Sequence, residues 1–239
     1  MPKQATARYE IQGRTVTLPV EVRDASNGVA IFLVPAAAAQ KLVVGDAYEV
    51  VDVGGGVAQL ILGIVDYRDN DLGDYDEVAV ILVVRPRGAP AEAAGTFICH
   101  LPVSQSFTCD AGCRIWGFPK SVEEITYEYD GDRVTGRLVM GGEHVLTLGL
   151  PRRQPEPGAP VEPPMEAYTY TYIDGIPHRT RFTTGGAGTV ITAGGEGVTL
   201  TLGTHPIAQA LRGLGLPAAP MMSTWTEHMH GTFGSPEAL

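Results

Sequence analysis

The chain has 239 residues, a formal net charge of −10 at pH 7 and 44% hydrophobic residues. That charge, with no basic run in the sequence, argues against nucleic-acid binding through phosphate neutralisation. The longest uncharged apolar stretch, VAIFLVPAAAAQ, is too short to cross a bilayer and is broken by Pro35, which argues against a membrane span.

The N-terminal MPKQATARYEIQG has no apolar core of the kind a signal peptide carries, so a cytoplasmic protein is expected. RTVTLPVEV then alternates. Val16, Leu18, Val20 and Val22 fall on one strand face, and Thr15, Thr17 and Glu21 on the other. Arg14 has the parity of the apolar set, whereas Arg23 falls with the polar set and reads as a surface residue. Arg14 is either a frayed strand end or a cation turned toward the apolar side, where it could pair with Glu77 or hold a substrate carboxylate by a fork of hydrogen bonds. PAAAAQKLV reads as a helix opened by Pro35.

VAQLILGIVD and EVAVILVV are apolar on both faces, the pattern of strands buried on both sides. Glu77 opens the second. It is either a strand-end charge reaching water or a carboxylate with a partner or a task. Downstream, CRIWGFPKSVEEI sets one lysine, Lys120, among Trp116, Gly117, Phe118 and Pro119. A lysine at a turn is commonly solvated. In the other reading, apolar surroundings disfavour the ammonium and lower its pKa well below that of free lysine. The amine then serves as a Schiff-base nucleophile.

EITYEY and AYTYTYID alternate again, the latter with Tyr168, Tyr170 and Tyr172 on one face. PRRQPEPGAPVEPP, residues 151–164, carries six prolines in fourteen residues and reads as a long proline-rich loop. TVITAGGEGVTLTLG reads as a hairpin turning at Gly194 to Gly197. Its glycines open no helix, so they are turn glycines and not a phosphate loop. HPIAQALRGLG reads as a helix between Pro206 and Gly213.

In the C-terminal STWTEHMHGTFG, His228 and His230 share a face if the segment is a strand. The segment reads as docked by Trp225 and Phe233, as a lid whose histidines relay protons, or as a metal site that with Glu227 lacks a third well-spaced ligand. Cys109 and Cys113, with His100 nearby, lack zinc spacing, and three cysteines form no disulfide framework; they read as buried free thiols. No metal and no cofactor is expected. Many short alternating segments with glycine turns predict a mainly β protein, one domain over 1–239, its antiparallel curved sheet forming a barrel or cone with few short helices.

IWGFPK resembles the lysine motif of the acetoacetate decarboxylase family, in which an aromatic-Pro-Lys turn carries the Schiff-base lysine. LGDYDEV, with Tyr75 and Glu77, resembles the strand that carries the family's active-site glutamate. The order is similar too: an N-terminal strand with an arginine, a VP segment leading to a helix, the glutamate strand, then the lysine. The resemblance spans roughly residues 12 to 150; beyond that it is a general run of strands.

The resemblance implies an acetoacetate decarboxylase-like domain, a keto-acid substrate and a homo-oligomer. It places Lys120 as nucleophile, Glu77 near the reacting carbon and Arg14 against the substrate carboxylate, with Phe118 lining the pocket; Trp116, from the same apolar turn, is expected beside it as a substrate-binding residue. Two positions depart from the pattern. The second lysine that commonly follows the nucleophile is Ser121, and a further acidic residue aligns with Leu62. With the adjacent cation gone, desolvation would have to activate the amine. The expected function is a Schiff-base lyase acting on a β-keto acid such as acetoacetate. Aldol, dehydration or hydration chemistry on a 2-keto acid, and non-catalytic binding of a small molecule, are the alternatives.

Overall fold

The computed structural model describes residues 7–153 and 161–239. Its strands are β1 (Arg8–Ile11), β2 (Arg14–Thr17), β3 (Val20–Pro35), β4 (Tyr48–Val50), β5 (Val57–Asn70), β6 (Tyr75–Pro86), β7 (Gly95–Val103), β8 (Lys120–Val122), β9 (Glu124–Asp130), β10 (Arg133–Met140), β11 (Glu143–Pro151), β12 (Val161–Ile173), β13 (Ile176–Ala193), β14 (Thr199–Leu202) and β15 (Met222–Ala238). Three short helices accompany them among the described residues: α1 (Ala36–Ala39), α2 (Ser106–Ala111) and α3 (Pro206–Gly213). No helix among them is long and apolar enough to cross a membrane.

Strand β6 pairs with both β5 and β7. That extra pairing closes β6, β5, β3, β15, β13, β12 and β7 into a seven-stranded barrel, with β4 and β8 attached at its margins. Pairing around the ring is antiparallel except between β7 and β12. Closure removes the unpaired sheet edge that an open sheet of this size would expose. The sheet β14-β11-β10-β9 packs on the barrel with α3, which is why β5 and β6 are apolar on both faces. On their outer face Leu60, Leu62, Ile64, Val78, Val80 and Leu82 meet Val134, Leu138, Leu146 and Leu148. A second core gathers Val22, Val65, Tyr67, Tyr75 and Met229 with the β1–β2 hairpin and the segment after β7.

Several expectations change in detail. The stretch 14–22 keeps its alternation, with Val16, Leu18, Val20 and Val22 buried, but it is two strands, β2 and β3, separated by Leu18 and Pro19. The expected hairpin at Gly194–Gly197 is a turn but not a hairpin. β13 takes β15 as its partner, Ala193 opposite Met222, and β14 takes β11, Leu202 opposite Leu146. The C-terminal segment is no docked tail: β15 is a wall strand between β13 and β3. Of the proline-rich stretch, 154–160 lie outside the described residues, while Pro163 and Pro164 lie within β12, at a shift in its register against β13.

The predicted helices are present as α1 and α3. Pro206 occupies the first turn of α3, and the His205 ring accepts a hydrogen bond from Ile207 N–H at 3.2 Å. Helix α2 was not expected. Six residues are too few for a periodic signal, and its cap is a glutamine, with Gln105 Oε1 accepting from Thr108 N–H at 2.8 Å.

One contact ties the outer sheet to the barrel wall at Glu77. Tyr127 Oη, from β9, donates to the Glu77 carbonyl at 2.6 Å and accepts from Val65 N–H at 3.1 Å. Tyr127→Phe leaves those buried backbone groups short of a partner. It is expected to cost about 1–3 kcal/mol, read as a lower urea midpoint with an unchanged slope.

Candidate active site

Lys120 is the first residue of β8, which runs parallel to β7 with Lys120 opposite Leu101. The chain reaches it from α2 through a wide helical turn, Gly112–Trp116, of the i→i+5 type. Gly117 ends that turn in the left-handed region at φ 68°. A side chain at Gly117 would strike the Tyr172 carbonyl, so glycine is required twice over. The turn is then pinned: Phe118 N–H donates to the Gly112 carbonyl at 3.2 Å, and Leu101 N–H to the Pro119 carbonyl at 3.2 Å.

The lysine stem lies along Gly112, where an added Cβ would sit 2.6 Å from Lys120 Cδ. Its Nζ ends 2.9 Å from Glu77 Oε2 and donates to Thr108 Oγ1 at 3.2 Å, and it lies 5.0 Å from the centre of the Tyr75 ring. The Lys120 side chain is 4% exposed and that of Glu77 9%. The solvated-turn reading of Lys120 and the strand-end reading of Glu77 are therefore both set aside.

The two side chains line a cavity of about 60 Å³ with Tyr67, Tyr75, Trp116, Phe118 and Phe233 in its walls. Strands β3, β5, β6, β7 and β15 all contribute to it, so it lies inside the ring. Trp116 and Phe118 stack at 5.6 Å, and Phe233 meets Trp116 edge-on at 6.3 Å. The indole N–H of Trp116 donates to the Gly234 carbonyl at 2.8 Å, which fixes that wall.

Burial pulls the Lys120 ammonium pKa down, but attraction to the Glu77 carboxylate, with a smaller contribution from Tyr75, outweighs it; the net direction is upward. The expected depression is thus corrected: in the ligand-free site the amine is held as an ammonium. Burial pushes the Tyr67 and Tyr75 phenols up, so both stay protonated neighbours.

Arg14 does not join this site. It begins β2 directly after the β1–β2 turn, is exposed, and places its guanidinium 3.8 Å from the centre of the Phe107 ring. Its parity does turn it toward the apolar side. At the hairpin mouth, however, the long side chain lies over α2 instead of entering the barrel. Arg23 is exposed as expected and bridges Asp69 and Asp71 at 2.8 and 2.7 Å. Leu62 faces the outer core and lies opposite Val80. Val65 and Tyr67 are the β5 residues on the Glu77 face, so the expected loss of an acidic group at Leu62 concerns the wrong face. Ser121 follows Lys120 on a strand and faces away from the cavity.

His228 and His230 flank Met229 on β15 in regular register with Ala187 and Gly185 of β13, so they share a face as expected, opposite the one on which Met229 lines a cavity. His228 Nδ1 lies 2.9 Å from Asp24 Oδ1, and Glu227 is tied to Arg152 and to the Trp225 indole. Thr108, Gly112 and Phe233 were not legible as site residues, because each arrives through tertiary packing. Tyr75 carried a usable signal, since it lies two residues from Glu77 on one strand and shares its face.

The sequence matches the family described as acetoacetate decarboxylase (ADC) over residues 24–231. Among solved structures, the chain is similar to an acetoacetate decarboxylase from Legionella pneumophila subsp. pneumophila str. Philadelphia 1, with TM-score 0.64, 16% identity, and 92% of this chain and 87% of that one covered. It is similar to the enduracididine biosynthesis enzyme MppR complexed with the condensation product of pyruvate and imidazole 4-carboxaldehyde, with TM-score 0.56, 14% identity, and 92% and 88% covered. It is also similar to an acetoacetate decarboxylase-like enzyme from Sphingomonas wittichii RW1, with TM-score 0.52, 15% identity, and 91% and 93% covered. At these identities the likeness is one of fold. No curated protein matches the chain.

Removing the lysine strands a buried carboxylate. Lys120→Met is expected to cost roughly 3–5 kcal/mol at neutral pH, and the double variant Lys120→Met/Glu77→Leu to recover most of it. The deficit of the single variant should shrink as pH falls and the stranded carboxyl takes up a proton. Because the Lys120 pKa is raised on folding, the pair's contribution in the native protein persists through neutral pH and is lost only as pH rises through that raised value. Urea titrations across pH measure both effects.

Proposed function

The chain belongs to the acetoacetate decarboxylase family, and from that premise we propose that it is a Schiff-base-forming lyase that decarboxylates a β-keto acid. The observation that carries this reading is the buried Lys120 amine 2.9 Å from the Glu77 carboxylate, inside an aromatic-walled barrel cavity. The pairing of β3 with β15 across the length of the chain also supports reading residues 1–239 as one domain.

The resting proton sits on Lys120. When a ketone enters, Glu77 Oε2 accepts that proton along the existing contact and frees the nitrogen lone pair. Nζ adds to the ketone carbon, the oxygen leaves as water after protonation, and an iminium remains. The electron pair of the bond to the carboxylate moves toward the iminium, releasing carbon dioxide and leaving an enamine. Protonation at carbon and hydrolysis return the amine and a ketone. Glu77 both receives the first proton and stabilises the cationic iminium, so it is assigned with Lys120 as catalytic. Trp116 and Phe118 are assigned to the pocket wall. Arg14 is not assigned to the substrate.

Aldol or dehydration chemistry on a 2-keto acid is a second reading. It is supported by the fold likeness to MppR, one structure of which holds the condensation product of pyruvate, a 2-keto acid, and imidazole 4-carboxaldehyde.

Incubation with acetoacetate and cyanoborohydride is expected to add a reduced acetone-derived group to Lys120, read by peptide mass, with carbon dioxide released in the absence of the reductant. Lys120→Ala should abolish trapping. Glu77→Gln should lower catalytic turnover by a factor of about 10²–10⁴, the range of a lost general acid–base group. Trapping by pyruvate at Lys120 with no carbon dioxide from acetoacetate moves the assignment to the aldol-type reading. No trapping of any carbonyl leaves a binding protein.

A further inference from the structure

A second cavity of about 130 Å³ lies beside the first and shares Val22, Tyr67 and Phe233 with it. Its remaining walls include Val65, Phe182, Met229 and Thr184, and no lysine, arginine, aspartate, glutamate or histidine lines it. Its position relative to the reacting amine follows from strand register. Val65 is the cross-strand partner of Glu77, and Asn27 is the cross-strand partner of Val65. One row of side chains therefore runs from Glu77 in the first cavity to Val65 and Asn27 in the second, a span of about 10 Å over two strand spacings. Phe233 stacks on Phe182 at 5.5 Å at the boundary.

We propose that this second cavity receives an unbranched, uncharged alkyl tail of the carbonyl substrate, so that the substrate is a medium-chain 3-oxo acid or the methyl ketone derived from it. The proposal rests on the Lys120 reading above and names the substrate class of that same site. The second cavity, at about 130 Å³, has roughly twice the volume of the first, at about 60 Å³. A keto group and its neighbours fill the first, and the tail reaches the second past Val22, Tyr67 and Phe233. A charged tail would lose its hydration there without gaining a partner, whereas each methylene leaving water for Val65, Phe182 and Met229 is stabilised.

The test is a length series on the native chain. 2-Butanone, 2-hexanone and 2-octanone are incubated with cyanoborohydride. Hydride adds to the iminium carbon to give a stable secondary amine, and half-saturation is read from the mass of the Lys120 adduct. The expected result is a half-saturation concentration that falls about three- to four-fold per methylene. Thr184→Phe, which fills the second cavity, should collapse the ratio between 2-octanone and 2-butanone toward one. Equal trapping at every length overturns the tail cavity and leaves the Lys120 reading intact. If no ketone is trapped, calorimetric binding of the same series separates the two ideas. Tighter binding of 2-octanone than of 2-butanone supports the tail cavity while the amine reading falls, and length-independent or undetectable binding overturns both.

Discussion

A lysine and a glutamate 2.9 Å apart and both out of water impose conditions on everything around them. Removing two charges from water costs several kcal/mol per ion, and their mutual attraction offsets that only when the geometry is good. An apolar pair of similar volume would hold a barrel at least as well. The geometry is instead secured by several parts around it: Gly112 gives the lysine stem its path, Gly117 makes the turn, Thr108 accepts a second amine hydrogen bond, and Tyr127 ties down the backbone of Glu77. The ring closure between β6 and β7 sets the glutamate strand beside the strand that carries β8 and the lysine.

The pair also decides how the amine is prepared. Apolar surroundings alone would release the proton, but the carboxylate beside it holds the proton in place. The free site therefore carries its acid and its base together, and the nucleophile appears when a substrate alters the balance within the pair. That arrangement needs no second lysine beside the first, and Ser121 points out of the cavity in any case. The stacked Trp116 and Phe118, with Phe233 across from them, keep the surroundings apolar enough for small shifts in charge to matter.

What the sequence made legible follows from where the information lies. Lys120 and Glu77 stood out because each is a charge in an apolar setting, an oddity visible locally. The β-rich closed architecture was legible from alternation and turns. The sign of the Lys120 shift was not, because it depends on a carboxylate distant in sequence. Arg14 was read correctly for face and wrongly for place, since parity gives direction but not how far a long side chain travels along α2. The turn at Gly194–Gly197 was legible and its partners were not: β13 and β14 each pair with a strand remote in the chain. The segment around Trp225 looked terminal, yet β15 completes the wall, a fact that only the ring as a whole determines.

In the free protein Glu77 holds Lys120 as an ammonium. Only three lysines occur in the sequence, Lys3, Lys41 and Lys120, so a carbon-13 label at lysine Cε gives a spectrum in which each can be assigned by substitution. A pH titration of that label reads the protonation state of Lys120 in place. The Lys120 resonance is expected to keep its ammonium position past the ordinary lysine value of 10.5, and in Glu77→Gln to titrate below that value, because the main opposition to desolvation is then gone. A Lys120 resonance that titrates below 10.5 in the native chain, or is unmoved by Glu77→Gln, would mean that the carboxylate does not hold the proton on the amine.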